Sequence, residues 1–463
     1  MSTTTIKPAT TLPEIRERCF SRPLKEEELD SLFVETDAAR DPDDSLRQSL
    51  RSVLDRASSP KRILIYGHGG CGKSTELVRL AKDLGDGWLC ISFSVMDEIS
   101  LFGLHAEELL LVIANKVVAE AEREKLDSIA LDGRLRKVGE WFQSVTQTNE
   151  QERSAQMDFS AGAQAGAGGW LLGLGKLFAR FNSEIKFRGS SRTSIVDEIR
   201  KRPGDLIAQV NRVLECVEEA LSMKGKRLLI VAEDLDKLNI ADARNVFIEN
   251  GKLLADVQAK IIYTVPIFLF HSPDASAMKA MFDHDVSQPM IKVLNPGSGG
   301  PYPDCDLAPG FETVKKIVLC RVAVDAITAD ALELLIRKTG GVLRHVFQVL
   351  QTAANMTTLR ELPIKSEHIT YGLRRLKNEL ALQIALPTDK KIDGLDRVDQ
   401  LYDELERRVN LLRGRKPSPV SSEPIVQVLL KSCALVEYNG ERWLGVHPLV
   451  IEYLKDLGRL KDV

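Results

Sequence analysis

The sequence predicts an α/β fold centred on a parallel five-stranded sheet, and three observations carry that expectation. Five short apolar or β-branched runs alternate with helical stretches, a glycine-rich turn directly follows the first run, and the third run leads into two acids. The runs are Arg62–Tyr66, Trp88–Ser94, Arg227–Ala232, Lys260–Val265 and Met290–Val293. Each is bounded by helices or turn residues, the pattern of parallel strands buried on both faces.

Residues 1–58 read as a helical lead-in, because Glu26–Phe33 and Asp43–Ala57 place apolar residues such as Leu46, Leu50, Val53 and Leu54 at helical spacing. Ser59-Pro60 then breaks the helix before the first strand. The core is expected over 59–310, with an insertion at 98–225 that holds helical runs at Ala106–Glu122 and Pro203–Met223. A loop rich in Pro, Gly and Asp, Asn295–Gly310, separates the core from a helical lid at 311–390. The last unit, 391–463, has helices at Leu395–Leu412 and Glu423–Ser432. Ala434–Tyr438 and Arg442–Val446 flank Asn439-Gly440, a strong two-residue hairpin signal, and a final helix starts at Pro448. Helices followed by a hairpin match a winged-helix module.

Composition excludes several function classes. With 44% hydrophobic and 28% charged residues, the 463-residue chain can build a large core and a soluble surface. A formal charge of −3 lacks the basic excess of a dedicated non-specific nucleic-acid binder. From Leu395 onward eleven basic residues meet eleven acidic ones, and only Arg407–Lys416 forms a local basic cluster. Nucleic acid is therefore not favoured by charge as a partner. The seven cysteines contain no C-x-x-C pair, which argues against a zinc site or a disulfide framework, and reduced thiols fit a cytoplasmic location. The longest apolar stretch, around Trp170, is interrupted at Lys176 and too short to span a membrane. The small-residue stretch Phe159–Phe181 is expected to pack in its own domain or against a partner subunit rather than lie on a membrane.

The chemistry begins after the first strand. Gly67-His68-Gly69-Gly70-Cys71-Gly72-Lys73-Ser74 fits the Walker A spacing, and Thr75 follows it. Glycines let the backbone take left-handed angles and approach phosphate without a Cβ clash. Loop amides and the next helix N-terminus then point donors at the anion. Lys73 would reach the β- and γ-phosphates, and Ser74 would offer a hydroxyl to Mg²⁺. ATP and Mg²⁺ are thus the expected cofactors. His68 and Cys71 fill x positions of the motif and read as loop filler rather than catalysts.

The run Leu228–Ala232 leads into Glu233-Asp234-Leu235-Asp236-Lys237, a Walker B shape. A strand end beside the phosphate loop can place one carboxylate on the Mg²⁺ hydration shell and another near the attacking water. Both Glu233 and Asp234 are candidates for either role. Their order, Glu before Asp, is reversed from the usual one, which makes slow hydrolysis the expectation.

On these residues the chain resembles the additional-strand P-loop ATPases, particularly the bacterial initiator-like and signal-transducing (STAND or KAP-like) branches. The resemblance implies sheet order 5-1-4-3-2. Ile261–Pro266 looks like the sensor-1 strand, with Thr264 as its polar tip. Thr339-Gly340-Gly341-Val342-Leu343-Arg344 looks like the lid motif of origin-recognition-type ATPases, which implies that Arg344 is a sensor-2 arginine. Ala434–Leu449 is similar to the winged-helix ends of such chains, and Arg321 is one candidate for a trans-acting arginine finger. The implied function is an ATP-hydrolysing switch acting on a protein partner or on copies of itself in a homo-oligomer, with bacterial defence or signalling as the setting. The alternative is an oligomeric, DNA-remodelling initiator-like ATPase. A small-molecule kinase fits poorly, since the chain is far too long and no compact Arg-rich lid follows the core.

Overall fold

The structure is a computed structural model that describes residues 6–41, 45–56, 59–126, 129–145, 173–179, 197–356, 361–387, 394–414, 416, 421–438 and 443–461. The Asn439-Gly440 turn and most of Phe159–Phe181 lie outside those residues. In chain order come α1 (Leu12–Arg18), α2 (Leu46–Arg56), β1 (Lys61–Gly67), α3 (Lys73–Leu84), β2 (Trp88–Ser94), α4 (Ala106–Arg123) and α5 (Ile129–Val145). Next are α6 (Pro203–Met223), β3 (Arg227–Glu233), β4 (Lys260–Pro266), β5 (His284–Ser287), β6 (Leu294–Gly299) and β7 (Cys305–Leu307). The segment expected as the lid holds α7 (Gly310–Leu319), α8 (Ala329–Thr339), α9 (Leu343–Ala354) and α10 (Ser366–Gln383). The chain closes with α11 (Val398–Arg413), α12 (Pro424–Lys431), β8 (Leu435–Tyr438), β9 (Trp443–Val446) and α13 (Pro448–Asp456).

The central sheet runs β2-β3-β4-β1-β5, with every pair parallel. Counted from the other edge this is the expected 5-1-4-3-2. The strand inserted between β1 and β3 is β4, so the loop after β1 and the acids after β3 sit two strand positions apart at the same sheet end. Ile63, Leu64 and Ile65 of β1 are all fully buried, as a strand covered by helices on both faces must be.

One strand expectation is corrected. The fifth strand is His284–Ser287, paired with Ile63–Tyr66, and not Met290–Val293. An edge strand is half-solvated, so its polar sequence escapes a search for apolar runs. Met290–Val293 is apolar for another reason: Met290 and Ile291 are buried between the core, the lid and the C-terminal hairpin, and Met290 bridges to Tyr438. Similarly, part of the loop expected at Asn295–Gly310 is an antiparallel hairpin, β6–β7.

The lead-in is tied into the lid. Thr11 caps α1 in a reciprocal box with Glu14, and Arg16 Nε donates to the Ala354 carbonyl at the end of α9 (2.9 Å). Ala9 exchanges backbone hydrogen bonds with Arg321 (2.8 Å) and Ala323 (2.9 Å). No helix among the described residues is long and apolar enough to cross a membrane.

Candidate functional site

The loop from Gly67 to Lys73 joins β1 to α3, and its glycines set its path. Gly70 and Gly72 take φ of 86° and 106°, angles that a side chain disfavours. A Cβ on Gly67 would lie 2.3 Å from the Gln288 carbonyl oxygen, and one on Gly70 would lie 2.5 Å from Arg344 Cβ. The loop is therefore gripped from both sides.

Lys73 points back over this loop. Its ammonium donates to the carbonyls of Gly67 (2.9 Å) and His68 (3.0 Å) and pairs with Asp236 Oδ2 at 2.8 Å. Burial works against the charge, but Asp236 outweighs it and raises the lysine above its ordinary value.

The two strand-end acids diverge. Glu233 takes hydrogen bonds from Ser74, the residue after the lysine, and from Ser92 on β2 (2.7 Å). Burial raises its carboxyl despite both hydroxyls. Asp234 has left-handed backbone angles (φ 69°, ψ 4°), a strained choice for a non-glycine residue. It meets Ser94 Oγ at 2.7 Å and Lys237 Nζ at 2.8 Å. Burial pushes Asp234 up, but these two partners pull it below the usual carboxylate range. The hydroxyl of Ser74 and the carboxylate of Glu233 form a hard-oxygen pair, the donor type that suits Mg²⁺.

The segment joining α8 to α9 packs against the loop. Gly340 ends α8 in a left-handed cap, and Gly341 passes so near Ile291 that a Cβ would lie 2.0 Å from its carbonyl oxygen. This close pass sets the start of α9, where Arg344 is the second residue. A Cβ on Gly69 would lie 2.9 Å from Arg344 Nη1, so the guanidinium lies across the loop.

A cleft runs from Ser74, Thr75, Asp234 and Asp236 past Arg344 to an apolar end formed by Leu24, Phe33, Val34, Ile317 and Phe347. Its polar end can take phosphates, and its apolar end can take a flat base. Arg321 sits here too, 6% exposed, with its guanidinium 4.6 Å from the Phe347 ring centroid and donating to the Ile317 carbonyl at 2.9 Å. A side chain so enclosed cannot act as a finger on another subunit.

Three predicted residues turn away from this cleft. Thr264 is buried, and its hydroxyl approaches the Ala232 carbonyl at 3.4 Å, one residue before Glu233. Cys71 is fully buried in an apolar cluster with Met290, Val342, Val436 and Tyr438. His68 reaches the C-terminal hairpin, where its Nε2 accepts the Glu437 amide at 2.9 Å. Thr75 lines the cleft, but its hydroxyl accepts the Leu24 amide at 3.3 Å and so holds the lead-in.

Sequence reasoning missed Asp236 and Arg40 as site residues. Asp236 was visible as the third acid of its run. Arg40 gave no signal, because its partners are remote in sequence. Its guanidinium is buried, donates to the Cys71 carbonyl at 2.5 Å, and also reaches the carbonyl of Pro289. Burial holds it below its ordinary value.

Sheet order, loop and paired acids together decide the architecture. The core is a P-loop fold. No family model matches the chain, and no curated protein matches it in sequence. Solved structures of similar arrangement include the Walker-type ATPase PABY2304 of Pyrococcus abyssi, at 13% identity and TM-score 0.43 over 94% of this chain and 98% of that one. The Aeropyrum pernix Orc1 protein in complex with DNA gives 13% identity and TM-score 0.36 over 90% and 92%. Cdc6p from Pyrobaculum aerophilum gives 14% and 0.33 over 89% and 94%. At these values the likenesses carry no argument about activity or partner. The STAND or KAP-like branch finds no confirmation among the three.

Proposed function

We propose that the chain binds Mg–ATP in the cleft between sheet and lid, hydrolyses it slowly, and converts nucleotide state into a change in how its C-terminal hairpin unit docks. One observation carries this reading: His68, inside the phosphate loop, accepts the Glu437 amide of the hairpin while Arg344 of the lid spans the same loop. The hairpin is held by more than that bond. Glu437 Oε2 lies 2.5 Å from His271 Nε2, the Met290 amide donates to the Glu437 carbonyl at 3.1 Å, and Tyr438 donates to Gly340 at 2.8 Å. A shift of the loop around phosphate therefore moves atoms that hold the hairpin.

On this reading the amides of Gly67–Thr75 cradle the phosphates and Lys73 bridges the terminal two. Ser74 and Glu233 would hold Mg²⁺, which would neutralise phosphate charge when bound. Asp234, held below the usual carboxylate range and so ionised, orients water. Thr264 acts through the Ala232 carbonyl beside Glu233 rather than on phosphate, and Arg344 senses the γ-phosphate. The output is an altered contact with a protein partner or a second copy, in the cytoplasm. A setting in bacterial defence rests on the sequence resemblance alone.

The test compares the full chain with ATP, ADP and a slowly hydrolysed analogue. Amide exchange over β8–β9 and particle size by scattering should differ between the triphosphate and diphosphate states. Identical protection in both states refutes the coupling.

The second reading, an initiator-like DNA-remodelling ATPase, takes its motive from the resemblance of Thr339–Arg344 to the lid motif of origin-recognition-type ATPases. Charge pairing speaks against it. Arg407 and Arg408 of the local basic cluster both bind Glu404 at 2.7 Å, and Arg408 is fully buried. Salt-sensitive duplex binding with DNA-stimulated hydrolysis would establish it; no binding at low salt removes it.

A further inference from the structure

The Lys73 ammonium has three protons, and all three are spent within the protein, on Gly67, His68 and Asp236. The two carbonyls belong to the wrap of the loop itself. The third partner is a full negative charge, placed where a phosphate-loop lysine is expected to meet phosphate. The two side chains are 5% and 10% exposed, so water screens the pair little. Asp236 also borders both cavities that meet at the loop: the nucleotide cleft and a second one beyond Gly69, lined by His345, Gln348 and Lys431.

A buried ammonium without a counter-charge is costly, so an empty site needs Asp236 there. A triphosphate supplies its own charge at Lys73, and its terminal phosphate then faces the Asp236 carboxylate across a few ångströms with like sign. The two anions cannot both keep Lys73.

We propose that Asp236 is a positioning residue that stands in for the terminal phosphate in the empty site, holding Lys73 until a triphosphate displaces it, and thereby sets the protein's preference between ATP and ADP. The inference rests on the phosphate-loop reading of this site. Asp236 sits on the short turn Leu235–Lys237, and Lys237 pairs with Asp234. The displacement that frees Lys73 is thus passed along one turn to the acid assigned to water.

The experiment is calorimetric titration of the full-length parent and its Asp236→Asn variant with Mg–ATP and Mg–ADP. The variant should bind ATP about tenfold tighter, as expected from removing one like-charge contact, and ADP less than about threefold tighter. Its nucleotide-free melting temperature should fall and recover with ATP. Asp236→Glu should restore the parental ATP-to-ADP ratio, which a merely structural role would leave untouched. ATP binding equal to or weaker than the parent overturns the proposal. Should the Asn variant fail to fold, Asp236→Ser is judged by the same ratio. A parent that binds no nucleotide removes the site reading itself, whereas a binding parent with an unshifted variant removes this inference alone.

Discussion

Adding a methyl group at Gly69 should weaken ATP binding through Arg344 and through little else. The new Cβ would lie 2.9 Å from Nη1 and 3.7 Å from Cζ of Arg344, and the nearest of these is the far end of a flexible side chain. The guanidinium must retreat by roughly half an ångström to one ångström to reach ordinary van der Waals separation. A charge-assisted hydrogen bond to phosphate contributes about 1.5–3 kcal/mol, so Arg344→Ala should weaken ATP about 30-fold. The partial retreat in Gly69→Ala should cost about 1 kcal/mol, or about fivefold. Once Arg344 is gone, the Gly69 methyl has nothing to displace, so the double variant should match Arg344→Ala within about 0.5 kcal/mol. ADP, lacking the γ-phosphate, should bind all four proteins nearly alike. Isothermal titration of the cycle with both nucleotides reads this directly. Additive losses, or equal losses for ADP, would refute the placement of Arg344 over the γ-phosphate.

Other outcomes follow from the same geometry. Lys73→Ala should abolish nucleotide binding in a fluorescent-nucleotide titration. Glu233→Ala and Asp234→Ala should spare binding and stop phosphate release, with the Glu233 variant alone losing the Mg²⁺ dependence of nucleotide binding; parental turnover in both would mean the acids are misassigned. Gly341→Ala, at φ 81° with a Cβ 2.0 Å from a backbone carbonyl, should cost about 3 kcal/mol or more in urea unfolding, since neither partner can yield cheaply. Burial, reinforced by the nearby charges of Lys73 and Arg344 respectively, holds His68 and His345 neutral, each at about 3 against an ordinary 6.5. Their contribution to stability is full above about pH 6.5 and is lost as pH falls toward 3, because the unfolded chain takes up the protons, at about 1.4 kcal/mol per pH unit for each. His345→Gln should flatten the decline between pH 6.5 and 4.5 in thermal unfolding; an unchanged slope would show that this ring is not neutral in the fold.

Local spacing alone marked the glycine-rich loop and the acids after the third strand, because each is a backbone requirement written into neighbouring residues, while the glycine pair before Arg344 came from the family resemblance. The alternation of apolar runs with helical stretches likewise announced four of the five central strands. Only the tertiary structure decided which polar groups face one another. The edge strand His284–Ser287 is polar because one side of it meets solvent, so no apolar signal marks it. Lys73 with Asp236, Arg40 with Cys71 and His68 with Glu437 are separated by 163, 31 and 369 positions. Their attraction depends on distances that chain folding sets, and a linear pattern carries no record of them. The divergence of Glu233 from Asp234 has the same origin: Ser74 and Ser92 hold one, Ser94 and Lys237 the other, two acids that the sequence presents as interchangeable.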